Sequence, residues 1–457
     1  METNSFAEMI AADPYQKQAP AFRRIENAFL VFLVLSQVYY WFRYALQVNS
    51  NSTSPTYDNT PLAFQVGKYL MALAYCAILV VMIVPMYQRF KIPKTFLLSF
   101  GIIGGFFGLL ILKYFMADGP GNQSTAIGLI KVAYVAPVVA ISIPFLINPR
   151  FLKRFKFWAV DMAMVYHVLY SGLQMALYFT TGRLPGLAYE GGSVRFGGGW
   201  DDPNGFGMFL TLPFLYLLTS HPRGALQKVL AVVYGMVIVA LLGATISYSA
   251  IISFMVGFCL CVALTNLRML LIFVVTVGTL ASAVILSPTI QDALRFNYEQ
   301  KQDSMQSHVD QLVSVANFFD EDLSTVLFGN GGDVVLAENF YQTMLINFGL
   351  IFLVVMFSSI AATIICALVK YYRAKRLKDK ESERLFLVGF CFLFAFSLGA
   401  AFIPFFIVYP VNLYFWIFSL LVWIYPITDH RAKKTRVSSA AAAWSRSKIF
   451  PEERQSP

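Results

Sequence analysis

Residues 344–368 read MLINFGLIFLVVMFSSIAATIICAL, without an Asp, Glu, Lys, Arg or His. At 1.5 Å per residue, about 20 such residues cross a hydrocarbon layer of about 30 Å. Immediately before this run stand Glu338-Asn339-Phe340-Tyr341 and, earlier, Leu327-Phe328-Gly329-Asn330-Gly331-Gly332. These close a polar segment, 288–342, that lies between two apolar runs. One long apolar run beside one long polar loop sets the question for the whole chain.

Working outward, the answer repeats. The chain of 457 residues is 58% hydrophobic and 13% charged, with mean hydropathy +0.62, against about 25% charge in soluble domains. Apolar runs recur near 27–46, 67–87, 95–116, 125–147, 157–180, 205–219, 225–245, 248–265, 269–287, 344–368, 385–402 and 405–426. None alternates as a barrel strand does, so helices are the spanning element. The expectation is an all-α polytopic membrane protein of about twelve transmembrane helices with one long loop outside. It divides into an N-terminal segment 1–26, a membrane domain 27–427 and a basic tail 428–457. The first run has no small-residue cleavage site after it and reads as a retained helix. All five cysteines (Cys76, Cys259, Cys261, Cys366, Cys391) fall inside predicted helices. They predict neither a disulfide framework nor a metal site.

Charge placement orients the helices. Lys and Arg gather at Arg89/Lys91/Lys94, Arg150 to Lys156, Arg223/Lys228, Arg268, Lys370 to Arg384, and Arg431 to Arg436. Segments 47–66 and 117–124 contain none, and 181–204 and 288–342 contain two each. The positive-inside rule puts both termini in the cytoplasm and those four segments on the other side. Of the 25 acidic residues, nine lie in 288–342, so the net charge of +10 reflects topology and not nucleic-acid binding.

Four cations, Arg43, Lys68, Lys113 and Lys131, fall within the first four helices toward their outer ends. They either snorkel to headgroups or share an anionic ligand, since cations inside a membrane are costly unless paired. Asp161 and His167 in the fifth run read as structural hydrogen-bonding groups. The segment Gly191-Gly192-Ser193-Val194-Arg195-Phe196-Gly197-Gly198-Gly199-Trp200-Asp201-Asp202-Pro203-Asn204 precedes the sixth run. It is either a turn entering a capped helix or a glycine-rich site with an arginine fork suited to phosphate. In the long loop, Arg295 and Lys301 are the only cations and His308 the only histidine. Met305, Val309, Leu312, Val313, Ala316 and Phe319 recur at helical spacing and predict a surface-lying amphipathic helix over Ser304–Phe319. Glu338 is either a solvated charge at a helix start or a base in a partly desolvated mouth. No Walker A, zinc spacing or nucleophile elbow occurs.

The order of these pieces resembles a family. Arg195 and Asp202-Pro203-Asn204 open a helix, and Ser247-Tyr248-Ser249-Ala250 follows two helices on. A long loop ends Leu-Phe-Gly, and Glu338-Asn339-Phe340-Tyr341 and Asn347-Phe348-Gly349-Leu350 come after it. Over about 190–360 this resembles the O-antigen ligase and O-antigen/exopolysaccharide polymerase superfamily of bacterial inner membranes. The resemblance implies a metal-independent, cofactor-free, inverting glycosyltransferase. Its donor is an undecaprenyl-pyrophosphate-linked oligosaccharide taken at the periplasmic face, and its partners are the lipid bilayer, a chain-length regulator and a flippase. It also implies that Arg195 holds the donor pyrophosphate and Glu338, beside Asn339, is the base. Asn204, Arg295, His308 and the four helix cations are then candidate substrate-binding residues. Tyr248 stands where the family often has Arg, and Glu338 where typical ligases have His. The second difference points to polymerase over ligase. A transporter or flippase, which would show inverted repeats, is the expectation from another class.

Overall fold

The structure, a computed structural model, describes residues 23–38, 62–83, 135–142, 149–181, 188–190, 193–200, 202–220, 224–268, 315–329, 339–403 and 410–427, with single positions between them. Among these the secondary structure is helical apart from one hairpin. The helices are α1 (23–38), α2 (Leu62–Ile83), α3 (Val135–Ser142), α4 (Pro149–Phe155), α5 (Met162–Thr181), α6 (Pro203–Leu218), α7 (Ala225–Thr245), α8 (Tyr248–Thr265), α9 (Leu323–Phe328), α10 (Phe340–Leu377), α11 (Lys380–Gly399) and α12 (Val411–Ile424). A π-helical segment, Lys156–Asp161, joins α4 to α5. Strands β1 (Ala188–Glu190) and β2 (Ser193–Arg195) pair antiparallel, with Tyr189 opposite Val194.

Among the described residues, four helices, α7, α8, α10 and α11, are long and apolar enough to cross a membrane. Shorter apolar helices include α6 and α12. The chain is therefore an all-α protein of membrane type. The predicted runs 95–116 and 269–287 lie outside the described residues, save for single positions, as do the two terminal segments beyond 23 and 427.

Side-chain caps set several helix starts. Asp202 accepts from Asn204 N at 2.9 Å and Gly205 N at 3.1 Å, with Pro203 in the first turn. Asn339 accepts from Tyr341 N at 2.9 Å and Gln342 N at 3.3 Å, and Asp379 from Ser382 N at 3.2 Å. Each such cap satisfies backbone donors that the first turn leaves open, typically worth about 1 kcal/mol. Small residues allow the helices to approach. A Cβ on Gly207 would meet Ala250 Cβ at 2.6 Å, and one on Gly257 would meet Thr211 Cγ2 at 3.1 Å and Ala395 Cβ at 3.4 Å. In lipid, where burying apolar surface does not drive association, close packing of this kind holds α6, α8 and α11 together.

Helix ends sort onto two levels. At one, Arg384 donates to Tyr216 O at 2.6 Å and Thr219 Oγ1 at 3.1 Å, capping the end of α6. Lys370 Nζ donates to Trp423 O and Tyr425 O, both at 3.1 Å, capping α12. Tyr371 Oη donates to Leu264 O at 3.2 Å, at the end of α8. Cations at helix C-termini complement the dipole. From Arg384, α11 rises about 24 Å to Ala400, and α6 spans about the same length back to Asn204. At that far level Phe340 N donates to Ala400 O at 3.2 Å. The start of α6, the α7–α8 corner and the start of α10 thus share the end opposite the capping cations.

The long loop returns onto α10. Gly329 (φ 83°) and Gly349 (φ 78°) are both left-handed. A Cβ on Gly329 would meet the backbone of Asn347 and Phe348, and a Cβ on Gly349 the backbone of Leu327 and Phe328. Leu327-Phe-Gly and Asn347-Phe-Gly therefore pack backbone to backbone, each glycine opening space for the other motif. Phe318 is buried here against Leu345 and Ile346. The predicted loop helix is helical at positions 306, 310, 313 and 315–318. Its packing residue is Phe318, flanked by Val315, outside the predicted stripe; Val313, Ala316 and Phe319 are exposed.

The start of α9 carries a pH prediction. Asp322 accepts from the side chains of Ser324 and Thr325 and from both of their backbone N–H groups. These bonds, that of the Ser324 hydroxyl foremost, hold its carboxyl down at about 2. A depressed folded-state value means that the stabilisation is complete above the ordinary carboxylate range and is lost as pH falls through about 2. Pepsin should leave 315–329 intact at pH 4 and nick it as pH approaches 2. Asp322→Ala should be nicked at both. Equal nicking of the wild type at both pH values, after correction for pepsin activity, would remove this role for Asp322.

Candidate functional site

The site is assembled from three pieces at the end opposite the capping cations: strand β2 with the glycine segment after it, the start of α6, and the α7–α8 corner. The corner is strained. Ile246, a β-branched residue, sits at φ 49° and ψ 35°, a left-handed conformation costing about 1–2 kcal/mol in an L-residue. The β2 end holds it there. Phe196 N donates to Ala244 O at 3.0 Å, and Arg195 Nε donates to Thr245 O at 3.0 Å.

Arg195 is 7% exposed and its guanidinium is shared between elements. Nη2 donates to Asn204 Oδ1 at 2.7 Å. Ser247 Oγ donates to the same Oδ1 at 2.7 Å and lies 3.2 Å from Ser249 Oγ. Ser247 also caps α8, accepting from Ala250 N at 3.3 Å. Asn204 therefore lies between the Arg195 guanidinium and the N-terminus of α8, whose cap Ser247 is neutral, while the N-terminus of α6 in which it sits is already answered by the Asp202 carboxylate. A helix N-terminus carries a partial positive charge that favours anions; at α6 the Asp202 carboxylate supplies that anion, and at α8 the cap is the neutral Ser247 hydroxyl.

The glycines behind Arg195 serve the fold first. Gly199 N donates to His167 Nδ1 at 3.0 Å, so the neutral imidazole carries its proton on Nε2. A Cβ on Gly198 would meet His167 Nδ1 and the Phe206 ring at 2.9 Å, and one on Gly199 would strike the Tyr166 ring. The close approach that the glycines permit is to side chains of α5 and, at Phe206, of α6. Trp200, Phe206 and Phe209 surround the imidazole at 4.7–5.4 Å between ring centroids. Asp161, the other ionisable group in that run, pairs with Lys156 at 2.8 Å.

The predicted residues divide accordingly. Arg195 and Asn204 are brought into direct contact. Asn339 caps α10 at the same end of the bundle, and Lys68 lies on α2. Glu338, Arg295, His308, Arg43, Lys113 and Lys131 lie outside the described residues. Thr245, Ser247 and His167 complete the network and were not among the predicted site residues. Ser247 is visible in the sequence as the first residue of the Ser247-Tyr248-Ser249-Ala250 turn and as a serine opening an apolar run, a helix-start signature. For His167 the signal is a histidine in a greasy helix. Among the described residues, no group of three or more His, Cys, Asp or Glu could hold a metal ion. Neither a protein-family model nor a curated protein matches the chain.

Proposed function

We propose that the chain is a polysaccharide polymerase of the bacterial inner membrane. In this reading both termini are cytoplasmic, about twelve helices span the bilayer, and 288–342 is periplasmic. The enzyme transfers an undecaprenyl-pyrophosphate-linked glycan to a glycan acceptor. One observation carries the reading: a buried arginine and the N-terminus of α8 converge on Asn204, at the end of the bundle where Asn339 also opens α10. Such a cationic cluster suits a pyrophosphate leaving group.

Glu338 takes the proton of the acceptor hydroxyl, whose oxygen forms the new bond to the anomeric carbon. The bond from that carbon to the pyrophosphate oxygen breaks, and the electron pair leaves with undecaprenyl pyrophosphate. Arg195 and the start of α8 stabilise the charge that develops there. No metal is needed, because the leaving group is already activated.

The test is made in a host that produces the polymer. Glu338→Gln, expressed at wild-type level, should lower polymer output about a hundredfold, the typical worth of a positioned base. It should leave single repeat units on the acceptor. A normal chain-length ladder in that variant would overturn the mechanism. Accumulation of lipid-linked polymer in a deletion strain, instead of single repeats, would make the enzyme a ligase acting on lipid A-core or protein.

A further inference from the structure

We infer that the segment 313–328 is an interfacial foot: it rests on α10 at the bilayer boundary and inserts Val313, Phe319, Leu323 and Phe328 into the acyl region of the adjoining leaflet. The inference concerns the path of the loop and holds for any reaction that the protein performs.

The position of the foot comes from α10. No Asp, Glu, Lys, Arg or His occurs from Phe340 to Val369, and Lys370 is the first charge. About 20 residues span the hydrocarbon, so counting back from Lys370 places the opposite boundary near residue 350. Phe318 packs on Leu345 and Ile346, with Leu350 and Leu353 against the same cluster. The backbone of Leu327 and Phe328 lies against Gly349. The foot is thus pinned at both ends to the turns where α10 enters the hydrocarbon.

Its exposed side chains include four large apolar ones, with Asn317, Ser324 and an acidic turn beside them. Val313 is 53% exposed, Phe319 50%, Leu323 72% and Phe328 67%. One turn further along α10, Ile351, Val354 and Val355 are similarly exposed and begin the lipid-facing surface. Phe328, beside Gly349, makes the foot continuous with that surface. Asp320, Glu321 and Asp322 are exposed on the turn between the two helical pieces, and three adjacent carboxylates require water. Apolar side chains toward lipid and a charged turn toward water describe a segment lying in the interface plane. Exposed large apolar groups this close together call for an occupant, and the occupant continuous with the flank of α10 is the bilayer.

The test uses full-length protein in lipid nanodiscs holding one copy each. Cysteines are introduced singly by Leu323→Cys, Phe328→Cys and Glu321→Cys, and a charged, water-soluble maleimide is the probe, with the wild-type signal subtracted. Leu323→Cys and Phe328→Cys should react at least about tenfold more slowly than Glu321→Cys, since a charged reagent does not enter the acyl region. Equal rates overturn the inference. Slow rates only in discs holding two copies also overturn it, in favour of a contact between chains. Phe319→Trp, a conservative change at an exposed site, provides a second reading. Lipids brominated on the acyl chain should quench its added fluorescence, and no quenching overturns the inference independently.

Discussion

Gly349→Ala is expected to destabilise the protein by about 2–6 kcal/mol, the sum of backbone strain and overpacking. Gly349 holds φ 78° and ψ 177°, a region open essentially to glycine alone. The added methyl would also strike the Leu327 carbonyl and Phe328 nitrogen, and backbone cannot swing aside as a side chain can. The long loop would lose its seat on α10. Gly243→Ala is the control: Gly243 lies in α7 with nothing within 4 Å of a Cβ, so that change should be neutral or slightly stabilising. Cys261 and Cys391 are buried, and a thiol-reactive dye reports their exposure on heating. Gly349→Ala should lower the apparent melting temperature by roughly 5 °C or more. An unchanged transition would show that the two Phe-Gly motifs do not bear on each other.

Asn204→Asp and Asn204→Leu are expected to separate the two duties of the Arg195 cluster. Leucine removes the acceptor shared by Arg195 Nη2 and Ser247 Oγ. Removing a partner from a buried charged donor costs about 1.5–3 kcal/mol, so Asn204→Leu should lose stability and activity together. Aspartate keeps the acceptor geometry and gains an ion pair with Arg195, which offsets its repulsion from the Asp202 carboxylate that caps the same turn. Asn204→Asp should melt at or above the wild-type temperature. It should nonetheless lose at least about tenfold in polymer output, because its carboxylate neutralises the cluster that would meet pyrophosphate. A fully active, stable Asn204→Asp protein would leave Arg195 as a clamp on the α7–α8 corner and nothing more.

The membrane architecture was legible because it depends on local quantities. A run such as 344–368 identifies itself by length and polarity, and Asp202-Pro203 announces a helix start by chemistry acting within three residues; that Asn339 caps α10 came from the structure. The loop helix was legible in type and not in orientation. Its apolar stripe was visible, yet Phe318 and not Phe319 meets α10, because the choice of face depends on where the return at Gly329 docks. The proposed site was half legible. Arg195 and Asn204 stand out in a glycine-rich segment, and Ser247 and His167 are visible as a motif serine and an intramembrane histidine, but nothing in the sequence joins either to the site, and Thr245 gives no signal at all.

By itself, then, the sequence determined an all-α membrane chain, those of its helical runs that fall on described residues, and the Asp202-Pro203 cap that starts α6. Only the tertiary structure decided that Arg195 meets Asn204 and Ser247, that the glycine segment closes on His167, and that Leu327-Phe-Gly seats on Asn347-Phe-Gly. Periodicity and hydropathy are sums over neighbours in the chain. A hydrogen bond between Ser247 and Asn204, or two glycine backbones in contact, depends on how helices cross, which no local sum contains.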